Sequence, residues 1–178
     1  MTLTISADTS SLNALFDELE EELDEAVRPA AQAAAQLLYM QVKSNVDRLG
    51  RKSGNLSNSI YQAYSRDNSG PGRATYHVSW NTRKAPHGHL LENGYIQRYA
   101  SYVGRDGKWY TAVRPEMQGK PKPRRRASQA EKDAYYVPRP DGPVQWVGRA
   151  FVRSAQAQFD AAMQAATEEL LRRISEKT

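Results

Sequence analysis

Cysteine is absent from this chain of 178 residues. Without a thiol the protein has no disulfide, no thiolate ligand for a metal and no cysteine nucleophile, so those kinds of site are excluded. Long apolar runs are also missing, because no stretch approaches the ~18 apolar residues that a membrane-spanning helix needs. Residues 1–8 lack the basic start and the apolar block of a secretory signal. We therefore expect a soluble protein that is synthesised in the cytoplasm and makes no contact with a membrane.

Signatures of common catalytic sites are missing as well. No serine lies in a Gly-x-Ser-x-Gly elbow. The glycine-rich turns at 69–72 and 104–107 lack the Lys-Ser/Thr ending of a phosphate-binding loop, and neither opens a helical pattern. We therefore predict that the chain is not an enzyme and uses no cofactor.

A metal site is conceivable at one place only, where His87 and His89 precede Glu92. If the two histidines lay in one strand, they would share a face, and Glu92 would add a carboxylate after a bend. No second cluster supplies the remaining ligands. We therefore predict no metal and assign His89 and Glu92 to structural or intersubunit hydrogen bonds, with a small metal-dependent hydrolase as an alternative that metal analysis would test.

Charge is distributed unevenly along the chain. The net charge is +5, but the first 30 residues contain eight acidic residues against Arg28 alone, a net charge of −7, so the remainder carries +12. Such a separation of sign suits docking to neighbours of opposite charge, including copies of the same chain.

The N-terminal part has the apolar spacing of amphipathic helices. Leu12, Leu19 and Leu23 belong to a stripe at three- and four-residue steps, which continues through Val42. Pro29 removes a backbone donor and crowds the preceding turn, so it kinks a helix or opens a new one. We predict an acidic N-terminal helix within residues 1–28 and a second helix over 29–49.

The middle of the chain, residues 50–114, has the patterns of strands and turns. Apolar and polar residues alternate over 75–80, as in a half-buried strand. The Asp-Gly turn in 104–107 lies between two aromatic-rich segments and predicts a hairpin. Gly94 follows an asparagine at a turn and is expected to have a positive φ.

The last third begins with a proline-rich basic segment at 115–142, which we predict to be a loop or flexible arm. Residues 143–178 return to helical spacing and predict a long C-terminal helix packed on the sheet. We therefore expect one α+β domain over 1–178, with a central, mostly antiparallel sheet that contains hairpins.

Three strings far apart in the chain, 52–60, 85–95 and 148–155, together and in this order resemble the tail-component proteins of long-tailed bacteriophages. The first has the family's basic residue, hydroxyl residue and glycine before a leucine and a Ser-Ile pair. The third keeps the family's Phe151, Arg153 and Ala155 but lacks its two prolines. The second places these residues on family positions: His89, Leu90, Leu91, Glu92 and Gly94.

The resemblance implies a structural virion protein at the joint between head and tail. Such a protein acts as a tail completion, tail terminator or neck protein, and the long stretch 96–142 resembles the longer members such as the lambda-like minor tail protein Z. The resemblance further implies a homo-oligomeric ring, expected to be hexameric, with the tail tube and head connector proteins as neighbours. It places the protein in the virion, after assembly in the host cytoplasm.

Two surfaces are predicted to serve this assembly. The apolar stripe of the acidic helix needs a partner, and the family's glutamate-glycine turn lies beside the joined sheets, so we expect a subunit interface at His89, Glu92, Gly94, Leu19 and Leu23. The basic residues of the arm are expected to contact DNA phosphates in the channel or the negative surface of a neighbouring ring. They are Lys120, Lys122, Arg124, Arg125 and Arg126.

An alternative function also rests on this arm. The sequence pI of about 9.4 and the cluster of arginine and lysine are typical of a basic nucleic-acid-binding module. Tight binding of free DNA with a steep dependence on salt would favour that alternative.

Overall fold

The computed structural model describes residues 10–50 and 53–176, and the side chains of residues 10–17 and 19 lie outside that description. It confirms the predicted α+β class, with helices at both ends and small antiparallel sheets between them. The helices are α1 (Ser10–Arg48), α2 (Gly88–Asn93), α3 (Gln129–Tyr135) and α4 (Phe159–Ser175). The strands are β1 (Ile60–Tyr64), β2 (Tyr76–Trp80), β3 (Gly94–Gln97), β4 (Ser101–Val103), β5 (Trp109–Thr111) and β6 (Val144–Val147). Short 3-10 turns occur at Ser57–Ser59, Arg66–Asn68, Pro115–Met117 and Arg153–Gln158.

The chain divides into two compact units. The first contains the residues up to Gly88 together with those from Ala150 onward, and the second is His89–Arg149. The first unit is therefore built from the two ends of the chain, while the second is a continuous segment.

The predicted separation into two N-terminal helices is not present, because α1 is one helix from Ser10 to Arg48 with Pro29 inside it. A proline within a helix removes one backbone hydrogen bond and costs about 3 kcal/mol. The cost is offset by burial on both sides of the proline, where Ala26 and Ala30 are in the core. Tertiary packing therefore keeps the helix continuous across a residue that favours a break.

In the first unit α1 packs against α4 and against the β1–β2 hairpin. This corrects the prediction that the C-terminal helix packs on the sheet, because α4 makes its principal contact with α1. The helix is also shorter than predicted. Residues 144–147 form strand β6, and α4 begins at Phe159 after a 3-10 turn.

The predicted central sheet consists, in the described residues, of three separate antiparallel pairs: β1–β2, β3–β6 and β4–β5. The alternating segment at 75–80 is confirmed as β2, with Ile60 opposite Trp80 and Tyr64 opposite Tyr76. The predicted hairpin is confirmed as β4–β5, where the Gly104 amide donates to the Lys108 carbonyl at 2.8 Å.

The basic arm is more ordered in structure than predicted. Helix α3 lies within it, and Val113 and Tyr99 form single bridges to Tyr136 and Pro138. The arm is therefore held to the strand region by backbone pairing, and its basic residues precede a capped helix.

Candidate interaction surfaces

In the first string, residues 53–59 form a loop that is joined to the end of α1 by a hydrogen bond. Ser57 and Ser59 are both buried. The Ser57 hydroxyl donates to Asp47 Oδ1 at 3.0 Å, and the Ser59 hydroxyl donates to the Leu56 carbonyl at 2.7 Å. The buried hydroxyls thus have hydrogen-bond partners in α1 and in the loop before β1, so these serines stabilise the fold.

The second string begins with tight packing beneath the indole of Trp80. Ala85 is fully buried. A Cβ atom at Gly88 would lie 2.3 Å from Trp80 Nε1, so only glycine allows the indole to lie over the start of α2. The Trp80 ring in turn meets Phe151 edge to face, with centroids 5.4 Å apart.

The third string supplies the centre of this core. Phe151 is 1% exposed, and Ala155 is also buried. Asn45 of α1 donates from Nδ2 to the Phe151 carbonyl and to the Ser154 hydroxyl, each at 2.9 Å. Its own Oδ1 accepts from Gln41 Nε2 at 2.9 Å.

Sequence reasoning did not identify Asn45. The available signal was a single amide between the apolar positions Val42 and Val46, both of which are buried in the structure. A buried amide that bonds two distant groups fixes the register of packed elements, because its loss leaves those groups unsatisfied.

In the second unit the glutamate-glycine turn is a close backbone crossing. Gly94 has a φ of +76°, as predicted. A Cβ atom there would lie 2.4 Å from the Trp146 carbonyl oxygen. Gly148, which follows the residue opposite Gly94 in the register, would place its Cβ atom 2.6 Å from the Glu92 carbonyl oxygen. Two glycines therefore allow the start of β3 to meet the end of β6. The sequence alone gave no indication that Gly148 lies close to Gly94.

The residues predicted at a subunit interface differ in exposure. His89 is exposed in α2, whereas Glu92 is only 5% exposed. Leu23 is 43% exposed on α1, and the side chain of Leu19 lies outside the described residues. The interface role of all five residues stays a prediction.

The hypothetical metal cluster does not have the geometry of a strand face. His87 lies in a turn and His89 in α2. Within 10–50 and 53–176, no group of three or more histidine, cysteine, aspartate or glutamate residues is arranged to hold a metal ion. Over the same residues, no helix combines the length and the apolar character needed to cross a membrane.

Large apolar side chains are exposed on the two strand pairs of the second unit. Trp109 is 71% exposed and Val147 is 82% exposed. The rings of Tyr95 and Trp146 stack at 6.3 Å with planes 16° apart. These residues lie on both sides of the two strand pairs, because neighbours in a strand point to opposite sides. We call them the exposed apolar set: Tyr95, Ile96, Tyr102, Val103, Trp109, Tyr110, Trp146 and Val147.

At the tip of the β4–β5 hairpin one hydrogen bond shifts the pKa of both side chains that it joins. The Tyr110 hydroxyl donates to Asp106 Oδ2 at 2.8 Å. This bond lowers the pKa of Asp106 and raises the pKa of Tyr110. The aspartate therefore stays charged and helps to hold the hairpin.

The basic segment, residues 120–126, is held at its backbone and exposed at its side chains. The Tyr135 hydroxyl donates to the Lys120 carbonyl at 3.1 Å, and Lys132 Nζ donates to the Arg125 carbonyl at 3.1 Å. Its five basic residues are all exposed: Lys120, Lys122, Arg124, Arg125 and Arg126. The segment is therefore a positioned group of cations.

A hydrogen-bond network fixes the helix that supports this segment. The Tyr99 hydroxyl donates to Asp133 Oδ1 at 2.8 Å, and Gln129 Nε2 donates to the same oxygen at 2.7 Å. The pKa of Asp133 is lowered, first by the bond from Tyr99. The pKa of Tyr99 is raised by desolvation and by the same carboxylate.

An acidic residue that lines a depression with three cations of the basic segment, Glu131, already has hydrogen-bond partners. Glu131 accepts hydrogen bonds from the Ser128 amide at 2.7 Å and from its hydroxyl at 2.9 Å, completing a capping box at the start of α3. These bonds lower the pKa of Glu131. In the part of the chain that the structure describes, no ion pair involves the five cations of the basic segment.

Comparison with known proteins identifies one family. Residues 10–94 match the family model described as "Bacteriophage HK97-gp10, putative tail-component". The predicted resemblance to phage tail-component proteins is thereby confirmed over that range. No curated protein and no solved structure gives a significant match to the chain.

The matched range contains the first string and the second as far as Gly94, and it ends before the third. The third string joins the matched part through packing, because Phe151 meets Trp80 and bonds to Asn45. The family is one of structural components of phage tails, so the coarse prediction of a structural virion protein is supported.

Proposed function

From the family match over residues 10–94, we propose that this chain is a structural subunit that forms a closed ring at the joint between a phage head and its tail. It acts there as a tail completion, terminator or neck protein and catalyses no reaction. The observation that carries the proposal is the exposed apolar set, eight large side chains on two separate strand pairs of the second unit.

Exposed apolar surface of this kind favours assembly. Isolated apolar residues are normal on a monomer, but these strands expose eight large ones, whose burial between subunits would be favourable. A two-stranded sheet is at most marginally stable alone in water and presents unpaired backbone groups along both edges. Contact between subunits would bury the aromatic side chains and cover these edges.

A ring is one of two assemblies that repeated contacts between identical subunits can form. Identical subunits that meet through two different surfaces form a closed ring when the rotation between them closes, and an open filament when it does not. We propose six subunits, with the tail tube and the head connector as the adjacent proteins. The ring would complete the tail and join it to the filled head.

The function can be tested in the phage that encodes the chain. Deletion of the gene is expected to give filled heads and separate tails that do not join, as seen by negative-stain electron microscopy. A plasmid copy should restore infectious particles, and the protein should be found in purified virions. Normal particle yield without the gene would contradict the proposal.

The role of the exposed apolar set in assembly can be tested with purified protein. Trp109→Ser combined with Val147→Ser should weaken the ring, measured by native mass spectrometry, because both side chains belong to the exposed apolar set. Met40→Ser is the matched control, since Met40 is 57% exposed but lies on α1. Equal effects of the two changes would show that the exposed apolar set is not the contact.

A further inference from the structure

We propose that the basic segment of one copy docks on an acidic stretch of α1 in a second copy, forming a second part of the contact between successive subunits. The acidic stretch is defined as residues 18–25. This inference rests on the proposed ring and names two charged surfaces that would contribute to the contact between its subunits. Neither surface includes a residue of the exposed apolar set.

The basic segment offers five positive charges within seven residues. Their side chains are exposed, and Glu131, which lines a depression together with Lys122, Arg124 and Arg126, is bonded to Ser128. Three of the five are arginines, whose planar guanidinium groups bind carboxylates through two parallel hydrogen bonds. The segment therefore has the chemistry of a carboxylate-binding surface.

The acidic stretch offers matching negative charges. It contains six carboxylates, and the helix rises about 12 Å over its length. Five of these side chains are exposed: Glu18, Glu20, Glu21, Asp24 and Glu25. Glu20, Glu21, Asp24 and Glu25 line one shallow depression of the surface.

The acidic stretch is also held in place. Asp24 Oδ1 accepts a hydrogen bond from the Gly72 amide at 2.6 Å, which ties the helix to the turn after β1. Arg28, the only basic residue nearby in the sequence, lies over the ring of Tyr64 at 4.4 Å. The negative charges are therefore presented on a fixed helix.

We choose a second copy rather than DNA as the occupant because the chain itself carries the complementary surface. Every copy of the chain carries one basic segment and one acidic stretch, so a ring contains equal numbers of both. The aromatic residues beside the basic segment are engaged within the fold, since the Tyr135 and Tyr136 rings pack edge to face at 4.9 Å. They are not arranged as a platform for stacked bases.

The test reverses charge on each surface of the full-length chain. One variant carries Lys122→Glu, Arg124→Glu and Arg126→Glu, and the other carries Glu18→Lys, Glu20→Lys and Glu21→Lys. Each variant alone should associate at least about 100-fold more weakly than the wild type, because like charges then face each other. Sedimentation across a concentration series measures the association, and circular dichroism checks that each variant is folded.

Two rescues distinguish a direct contact from a general effect of charge. A chain that carries both sets of changes should associate within about 10-fold of the wild type, because the opposite signs are restored. An equimolar mixture of the two single-surface variants should form alternating rings with an even number of subunits. Failure of both rescues would overturn the inference.

A matched control changes net charge equally elsewhere. Arg83→Glu, Lys84→Glu and Arg105→Glu alter three exposed basic residues outside the basic segment. Association of this variant should stay within about threefold of the wild type, apart from a general change that salt screens. An equal loss in the control would overturn the inference.

Two further outcomes would also contradict the proposed contact between the basic segment and the acidic stretch. If reversal of the basic segment abolishes binding of duplex DNA while reversal of the acidic stretch leaves the ring intact, DNA is the occupant. If the wild type shows no salt-dependent self-association, no such contact exists. Either result leaves the proposed function open, because that function is tested by the presence of the protein in virions and by the joining of heads to tails.

Discussion

Gly94→Ala is expected to destabilise the second unit through two separate effects. Gly94 has a φ of +76°, and a left-handed conformation costs a residue with a side chain about 1–2 kcal/mol. The new methyl group would also lie 2.4 Å from the Trp146 carbonyl oxygen, which belongs to backbone and cannot rotate away. Forced contacts of this kind cost about 1–3 kcal/mol, so the expected loss is about 2–5 kcal/mol.

Two control variants separate the effects. Gly107 has a φ of +73° with no neighbour within 4 Å, so Gly107→Ala should cost only the conformational part, about 1–2 kcal/mol. Gly148→Ala adds a methyl group 2.6 Å from the Glu92 carbonyl oxygen, so it should cost mainly the steric part, about 1–3 kcal/mol.

Urea unfolding followed by tryptophan fluorescence measures the three losses, because Trp146 lies beside the crossing. The midpoint should shift while the slope stays constant if only native stability changes. Hydrogen exchange of the β3 amides should accelerate in Gly94→Ala. A loss no larger than that of Gly107→Ala would refute the close crossing of Gly94 and Gly148.

Four further predictions test the first unit. Phe151→Ala should cost about 3–5 kcal/mol in urea unfolding, because the 1% exposed ring leaves a cavity against Trp80; a cost under about 1 kcal/mol would contradict its central position. Asn45→Ala should cost about 1–3 kcal/mol, since it leaves the Phe151 carbonyl without its donor, whereas the exposed Asn55→Ala should be nearly neutral. Ala150→Gly should raise the melting temperature by relieving a φ of 46°, a gain of about 0.5–1 kcal/mol, and a loss would refute that conformation. Hydrogen bonds from Arg172 and Arg173 hold the pKa of Glu169 at about 2, below its usual 4.5. The charged Glu169 side chain therefore stabilises α4 fully above pH 4.5, and this stabilisation is lost as the pH falls through 2. Glu169→Gln should flatten this part of an acid titration followed by circular dichroism, and an unchanged titration would contradict the assignment.

Local sequence patterns were sufficient to predict several elements of the fold. The alternation at 75–80 predicted β2, the Asp-Gly turn predicted the β4–β5 hairpin, and the asparagine before Gly94 predicted its positive φ. Each prediction depended on neighbours within a few residues, where side-chain period and turn chemistry act directly. The order of the three strings likewise indicated the phage tail-component family, which the match over 10–94 confirms.

Predictions that depended on distant contacts were less successful. Pro29 favours a break by local chemistry, but burial of Ala26 and Ala30 keeps α1 continuous. The composition of 115–142 suggested a flexible arm, whereas pairing with residues near Tyr99 and Val113 orders it. These outcomes follow from packing energies that no local pattern reports.

The sequence by itself determined the α+β class, the separation of acidic and basic charge, and the family resemblance, because composition, period and motif order are properties of the chain alone. Only the tertiary structure placed Asn45 against the Phe151 carbonyl, Gly148 against Gly94, and α4 against α1. Those pairs join residues far apart in the chain, and they form because burial and hydrogen bonding there outweigh the entropy of closing the chain between them.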